Sequence, residues 1–271
     1  MEGADRAVTA LRAVVPRMHL DRDTVTIRLV QLTGLVVFLV AWQLAGAAAP
    51  GFYSQPTRVV ADLVELVAEE QLLGLVWEST YTLIIGVVIA LVAGVSIGML
   101  MGRYRTVQVM LEPYMAAYYS VPRVAFVPLM IIWFGIDENF IIASVVAATT
   151  ALLIFATAAG VRETVIAYRE VAASFQINGW QMFTKILIPG SLPFIATGMR
   201  LGSQRALVAV IVAEFLIGLQ GIGLLLREAR ITLATDRMFA TAIVCMFMGI
   251  ALVLLTSIAE RRLSGWRPES F

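Results

Sequence analysis

TYTLIIGVVIALVAGVSIGMLMG, residues 80–102, is an apolar run long enough to fix the solvent of the whole chain. As a helix rising about 1.5 Å per residue it covers the ~30 Å of hydrocarbon in a bilayer. The composition points the same way. Of 271 residues, 60% are hydrophobic and 14% charged, with mean hydropathy +0.87. Soluble domains sit at roughly 45–50% apolar and about 25% charged.

Five further apolar runs, 28–49, 121–136, 140–160, 191–218 and 239–260, complete an all-α integral membrane fold with six expected spans. The third is irregular. Pro113, Pro122 and Pro128 interrupt it, which predicts an interfacial helix to about Tyr119 and then a short span. Broken backbone at that depth needs burial in protein or a wet cavity. Residues 1–26 are polar and lack the short apolar core and cleavage site of a signal peptide.

Arginine and lysine set the expected orientation. With the N-terminus cytoplasmic, the inside segments hold Arg6, Arg12, Arg17, Arg22 and Arg28, then Arg103 and Arg105, Arg162, Arg169 and Lys185, and Arg261, Arg262 and Arg267. Only Arg58, Arg227, Arg230 and Arg237 fall in the outside segments. Both termini are therefore expected inside: a cytoplasmic tail over 1–27, one six-span domain over 28–262 with a cytoplasmic loop at 161–190, and a second tail over 263–271. Outside, residues 56–76 show apolar spacing at Val59, Val60, Leu63, Leu66 and Val67 with Asp62, Glu65, Glu69 and Glu70 between, the pattern of an amphipathic interfacial helix. Residues 219–237 combine Gly221 and Gly223 with mixed charge and could meet a partner outside.

Chemistry within the chain finds little footing. One cysteine, Cys245, and one histidine, His19, exclude an intrachain disulfide and leave no His/Cys metal centre. Catalytic sets such as Gly-x-Ser-x-Gly or His-Glu-x-x-His are absent. A phosphate-binding Walker loop needs Gly-Lys-Ser/Thr, and the sole lysine, Lys185, lies between Thr184 and Ile186. Any ATP hydrolysis must come from another chain. The net charge of +1 gives no sign of a nucleic-acid partner.

Within the spans, Gly86, Ala90, Gly94, Gly98 and Gly102 form a small-residue ridge at a strict spacing of four. Such a ridge admits a close neighbouring backbone, or less commonly a substrate groove. Arg123, Arg200, Gln204, Arg205 and Glu214 are the polar residues placed in or beside spans. Arg200 and Gln204 share a helix face, while Arg205 points about 140° from Arg200. Each arginine has two readings: pairing with a carboxylate or helix-end carbonyls, or lining a translocation path.

The loop, EVAASFQINGWQMFTKILIP at 170–189, is partly amphipathic. Residues 164–174 suit a short helix and Asn178-Gly179 suits a turn. A second helix from Trp180 carries Trp180, Phe183, Ile186 and Leu187 on one face, and Pro189 and Pro193 are expected to end it and start the next span. Two short helices with an apolar edge could dock in a partner's groove or rest on lipid headgroups.

This loop resembles the coupling motif of bacterial ABC-importer permeases: Glu-Ala-Ala, three residues, Gly, nine residues, Ile-x-Leu-Pro. Glu170, Ala172, Ile186 and Pro189 match it, and Ile188 stands at the Leu. Val171 replaces an Ala and Gln176 replaces the Gly. Gly198-Met-Arg200, Arg205-Ala206, Ala213-Glu214 and Gly221-Ile-Gly223 resemble the fifth-span signature of the nitrate/sulfonate/taurine-type subfamily, with Leu207 where a Trp is usual. Pro122, Pro128 and Trp133-Phe134-Gly135 resemble its third span, and the resemblance covers about residues 54–262.

The resemblance implies a type I importer permease of the bacterial cytoplasmic membrane. A soluble substrate-binding protein would meet its outer face. Two ATPase subunits, holding ATP and Mg²⁺, would dock on the coupling loops. Glu170, Ala172, Ile186 and Pro189 then belong to the docking element, with Ala173, Gln176, Gly179 and Phe183 in the same loop. The pore would need a second permease, a homodimer before a heterodimer. The excess of Arg123, Arg200 and Arg205 over Glu214 leans towards a small anion such as a sulfonate, nitrate or carboxylate. An ATP-independent secondary transporter and an importer of a pyrimidine precursor are the alternatives.

Overall fold

The structure is a computed structural model describing residues 20–49, 53–68, 71–120 and 123–264. His19, Pro122, Glu69, Glu70, Arg6, Arg12, Arg17 and Arg267 lie outside the described residues, as do the side chains of Arg22, Arg123, Arg169, Val171 and Ala173. The regular elements are helices: α1 (Leu20–Ala48), α2 (Pro56–Ala68), α3 (Gln71–Arg103), α4 (Arg105–Ser120), a 3₁₀ turn (Arg123–Phe126), α5 (Val127–Phe134), α6 (Glu138–Ser174), α7 (Gly179–Ile217), α8 (Gly221–Ile231) and α9 (Thr235–Ser264).

The chain divides into two compact units between Arg58 and Val59. In the first, α1 exposes Leu29, Val30, Val36, Val37, Phe38 and Leu44, apolar on nearly every face. That composition suits a membrane-spanning helix. Its end is tied back by Trp42, whose Nε1 donates to Ser54 Oγ at 3.1 Å.

The second unit is built around α6. The ridge on α3 lies against it so closely that a Cβ added at Gly86, Gly94, Gly98 or Gly102 would stand 2.5–2.6 Å from Val145, Leu153, Thr157 or Val161 Cβ. Those partners also recur every four residues, so one row of side chains fills the groove left by a row of missing ones. A second small-residue row, on α7, also packs against α6, and Leu153 touches both rows. A Cβ at Gly198 would fall 2.7 Å from Ala156 Cβ, and one at Gly202 2.8 Å from Thr149 Cγ2. Leu83, Phe140, Ile141, Val145, Ala206, Leu207 and Val210 fill the core where α3, α6 and α7 meet.

Among the described residues four helices are long and apolar enough to cross a membrane: Thr26–Ala48, Gln71–Arg103, Glu138–Tyr168 and Thr235–Leu263. Gly179–Ile217 with Gly221–Ile231, bent by 50°, makes a fifth. The expected third span is broken, with α4 continuing through Pro113 to Ser120 and α5 only 8 residues long. Eight residues reach about 12 Å, well short of the hydrocarbon thickness.

Three expected boundaries move. The second span starts at Gln71, because 71–79 continue the helix that 80–102 announces. Residues 164–174 are the last turns of the 37-residue α6 rather than a separate helix. Pro189 and Pro193 lie inside α7 and do not interrupt it.

Candidate functional site

The loop between α6 and α7 is short and tightly closed. Helix α6 ends with Gln176 in the left-handed region at φ 50°. Ile177 N then donates to Ala172 O at 3.1 Å. This six-to-one bond is the Schellman closure, whose left-handed position glycine usually fills. Gln176 is the residue that replaces the family glycine, so the turn remains at the motif position. The expected turn at Asn178-Gly179 is not found. Asn178 is extended (φ −73°, ψ 164°) and caps the next helix: its Oδ1 accepts from Gln181 N at 2.8 Å, and Gln181 Oε1 accepts from Asn178 N at 3.3 Å. This reciprocal pair is a capping box, and it accounts for the asparagine better than a positive φ does.

Past Gln181, residues Met182–Leu187 form a π-helical stretch, with Ile188 N–H bonded to Phe183 O. Proline cannot donate and clashes with the carbonyl four residues back. The wider turn before Pro189 relieves that conflict, and the helix runs on. The expected single apolar face is split as a result. Leu187 is fully buried with Met99 and Val161, and Met182 and Phe183 pack partly against them. Trp180 is 74% exposed, as is Phe175 at 76%, and Trp180 stacks on Phe183 at 6.2 Å. Glu170 is exposed, Ile186 and Pro189 half-buried. A cavity of about 560 Å³ lies under the turn, lined by Arg103, Val165, Ala172, Gln176, Ile177, Gly179 and Met182.

The polar residues of α7 separate into three kinds. Arg200 Nε lies 3.0 Å from Glu260 Oε2, a close ion pair without hydrogen-bond alignment, while Thr197 Oγ1 donates to Glu260 Oε1 at 2.7 Å. Glu214 is fully buried. Its Oε2 accepts from Ser79 Oγ at 2.8 Å and from Gly223 N at 3.0 Å, and Ser79 Oγ accepts from Ile222 N at 2.9 Å. Glu78 takes the neighbouring Gly221 N at 2.9 Å. Two carboxylates and a hydroxyl thus satisfy the first amides of α8 and complement its dipole. Gly221, at φ 71°, has no room for a Cβ because the Glu214 carboxylate occupies that space, and Gly223 has none because Glu214 Cβ and the Glu214–Phe215 backbone do. Gln204 and Arg205 are exposed and belong to neither group.

The Ala213-Glu214 and Gly221-Ile-Gly223 spacing therefore serves one packing unit. Sequence reasoning missed Glu78, Ser79, Thr197 and Glu260, which complete these contacts. The one available signal was that each stands near the end of an apolar run, at the level of its partner.

The arrangement matches a known family. A family model described as the binding-protein-dependent transport system inner membrane component covers residues 86–265. The chain belongs to this family. It is an all-α, multi-pass inner-membrane permease of the ABC importer type. The permease is 29% identical over 243 residues to the taurine transport system permease TauC of Escherichia coli, covering 87% of this chain and 88% of that protein. It is 28% identical to the putative aliphatic sulfonates transport permease SsuC of Bacillus subtilis, covering 85% of each. A probable ABC transporter permease of Brucella abortus is 27% identical over 88% of this chain and 98% of its own length. Among solved structures, a chain of the MetNI methionine ABC transporter in inward-facing conformations superposes with a TM-score of 0.60 at 16% identity, over 71% of this permease and 95% of that chain. That likeness concerns the fold.

Proposed function

We propose that this permease forms half of the path of an ATP-driven importer for small anionic solutes, sulfonates first. The N- and C-termini and the 174–179 loop face the cytoplasm, following the arginine and lysine distribution. Separate ATPase subunits bind ATP and Mg²⁺ and dock on the loop, and an extracytoplasmic binding protein delivers the solute to the opposite face. Two copies of the chain close the path as a homodimer.

The loop geometry carries this reading. Phe175 and Trp180 stand exposed on a turn closed by a Schellman bond and a capping box, with Leu187 buried beneath them. A rigid, apolar, protruding edge suits the groove of a soluble partner. The sulfonate preference is supported by the taurine and aliphatic-sulfonate permeases to which the chain is similar.

Copurification tests the docking assignment. The permease is co-expressed with its ATPase subunit, and the complex is captured through the permease. Phe175→Asp with Trp180→Asp is expected to abolish ATPase recovery at unchanged permease yield. These two positions are better probes than Phe183, which packs against the core. Full ATPase recovery with the double variant would refute docking at this edge.

A further inference from the structure

Three charged residues of α7 enter the membrane region, and two of them are spoken for. Arg200 is neutralised by Glu260 and Glu214 is enclosed by Ser79 and Gly223. Arg205 is exposed, Gln204 is exposed beside it, and neither has a hydrogen-bonding or ionic partner among the described residues. Arg205 lies five residues past Arg200 and nine before Glu214, or about 8 Å and about 14 Å along the axis. It is too deep for its head group to reach either end of the helix.

The exposed positions of α7 form one strip, with Leu201, Val208, Val212 and Leu216 around Gln204 and Arg205. Other spans show a different outer surface at mid-depth. Helix α3 exposes Ile84, Val88 and Val92, and α9 exposes Phe247, Ile250 and Leu254. Those surfaces suit lipid. An unpaired guanidinium beside an unpaired amide does not, and such groups face a bundle interior or a water-filled cavity.

We propose that Arg205, with Gln204 beside it, is an anion-recognition point of the translocation path, taking the sulfonate or carboxylate group of the solute. The inference rests on the importer reading above. A guanidinium presents two parallel N–H donors to two oxygens of such a group. The Gln204 amide adds a donor for a third oxygen, which a sulfonate has and a carboxylate lacks. Arg200 differs from Arg205 in having its charge balanced by Glu260.

The test reads the site without knowing the natural substrate. In a Cys245→Ser background, Gln204→Cys is introduced and the assembled transporter is treated with two membrane-impermeant thiol reagents. These are the anionic 2-sulfonatoethyl and the cationic 2-trimethylammonioethyl methanethiosulfonates. Both are expected to label, the sulfonate faster. Adding Arg205→Gln should lower the anion-to-cation rate ratio about 5-fold or more, the size of one charge acting over several ångströms of water-like medium. Arg205→Lys should preserve the ratio. Val208→Cys, on the same exposed strip one turn on, serves as the reporter if Gln204→Cys fails to assemble.

Absence of labelling at both reporters would overturn the proposal, because the strip would then be dry. Labelling whose charge preference ignores Arg205→Gln would overturn it equally. Neither result touches the docking assignment, which copurification decides separately.

Discussion

Replacing Gln176 by glycine should tighten the loop. A non-glycine residue in the left-handed region costs roughly 1–2 kcal/mol, and glycine is free of that cost. Glycine also loses more freedom on ordering, by roughly 0.5–1 kcal/mol. The difference leaves a net gain of about 0.5–1 kcal/mol for Gln176→Gly. The Ile177 amide, bonded to Ala172 O across this residue, is the local reporter. Its hydrogen exchange in detergent-solubilised permease should slow about 2- to 5-fold, following RT ln of the opening constant. Gln176→Asn should fall between glycine and glutamine, since asparagine tolerates the left-handed region. Gln176→Val should speed exchange, because a β-branched side chain fits there poorly. If glycine left Ile177 exchange unchanged while Asn178 and Gln181 exchange slowed, the closure would rest on the capping box and the argument from φ would be wrong.

Two further outcomes follow from packing. Gly98→Ala puts a methyl 2.6 Å from Thr157 Cβ and 2.8 Å from Ile154 O, so it should destabilise by about 1–3 kcal/mol and lower the thermal midpoint, whereas Gly74→Ala, helical with nothing within 4 Å, should stabilise by up to about 1 kcal/mol. Glu214→Ala leaves the Gly223 amide and the Ser79 hydroxyl without their acceptor and should cost about 2–4 kcal/mol, while Glu214→Gln keeps an acceptor and should cost less. Thermal unfolding of the purified permease, compared across each pair, checks both.

Much of the fold was legible because membrane helices announce themselves by length and composition. The apolar run at 80–102 and the small-residue ridge within it are visible without any partner. The partner row on α6, from Val145 to Val161, was not, since ordinary side chains every four residues look like any buried helix. The loop was misread at its joints for a physical reason. Asparagine-glycine signals a turn and proline signals a stop, but both rules are local. Here Asn178 is used as a cap, and a π stretch lets the helix pass Pro189. The contacts of Glu214, Gly221 and Thr197 depended on Ser79, Glu78 and Glu260, which lie 135, 143 and 63 positions away in sequence. No spacing rule links positions so far apart.

The two flanks of the loop are mechanically unlike. On one side α6 is an uninterrupted rod of 37 residues, about 55 Å long, packed against two rows of small residues. On the other, α7 starts with a loosened π stretch and two prolines before its regular part. A load applied at Phe175 and Trp180 would thus reach the membrane by a stiff route and a compliant one. Displacement along α6 would arrive undiminished at the bilayer's far side, while the same push through α7 would be partly absorbed as bending. The natural response of such a pair is rotation about the compliant strut rather than translation of both.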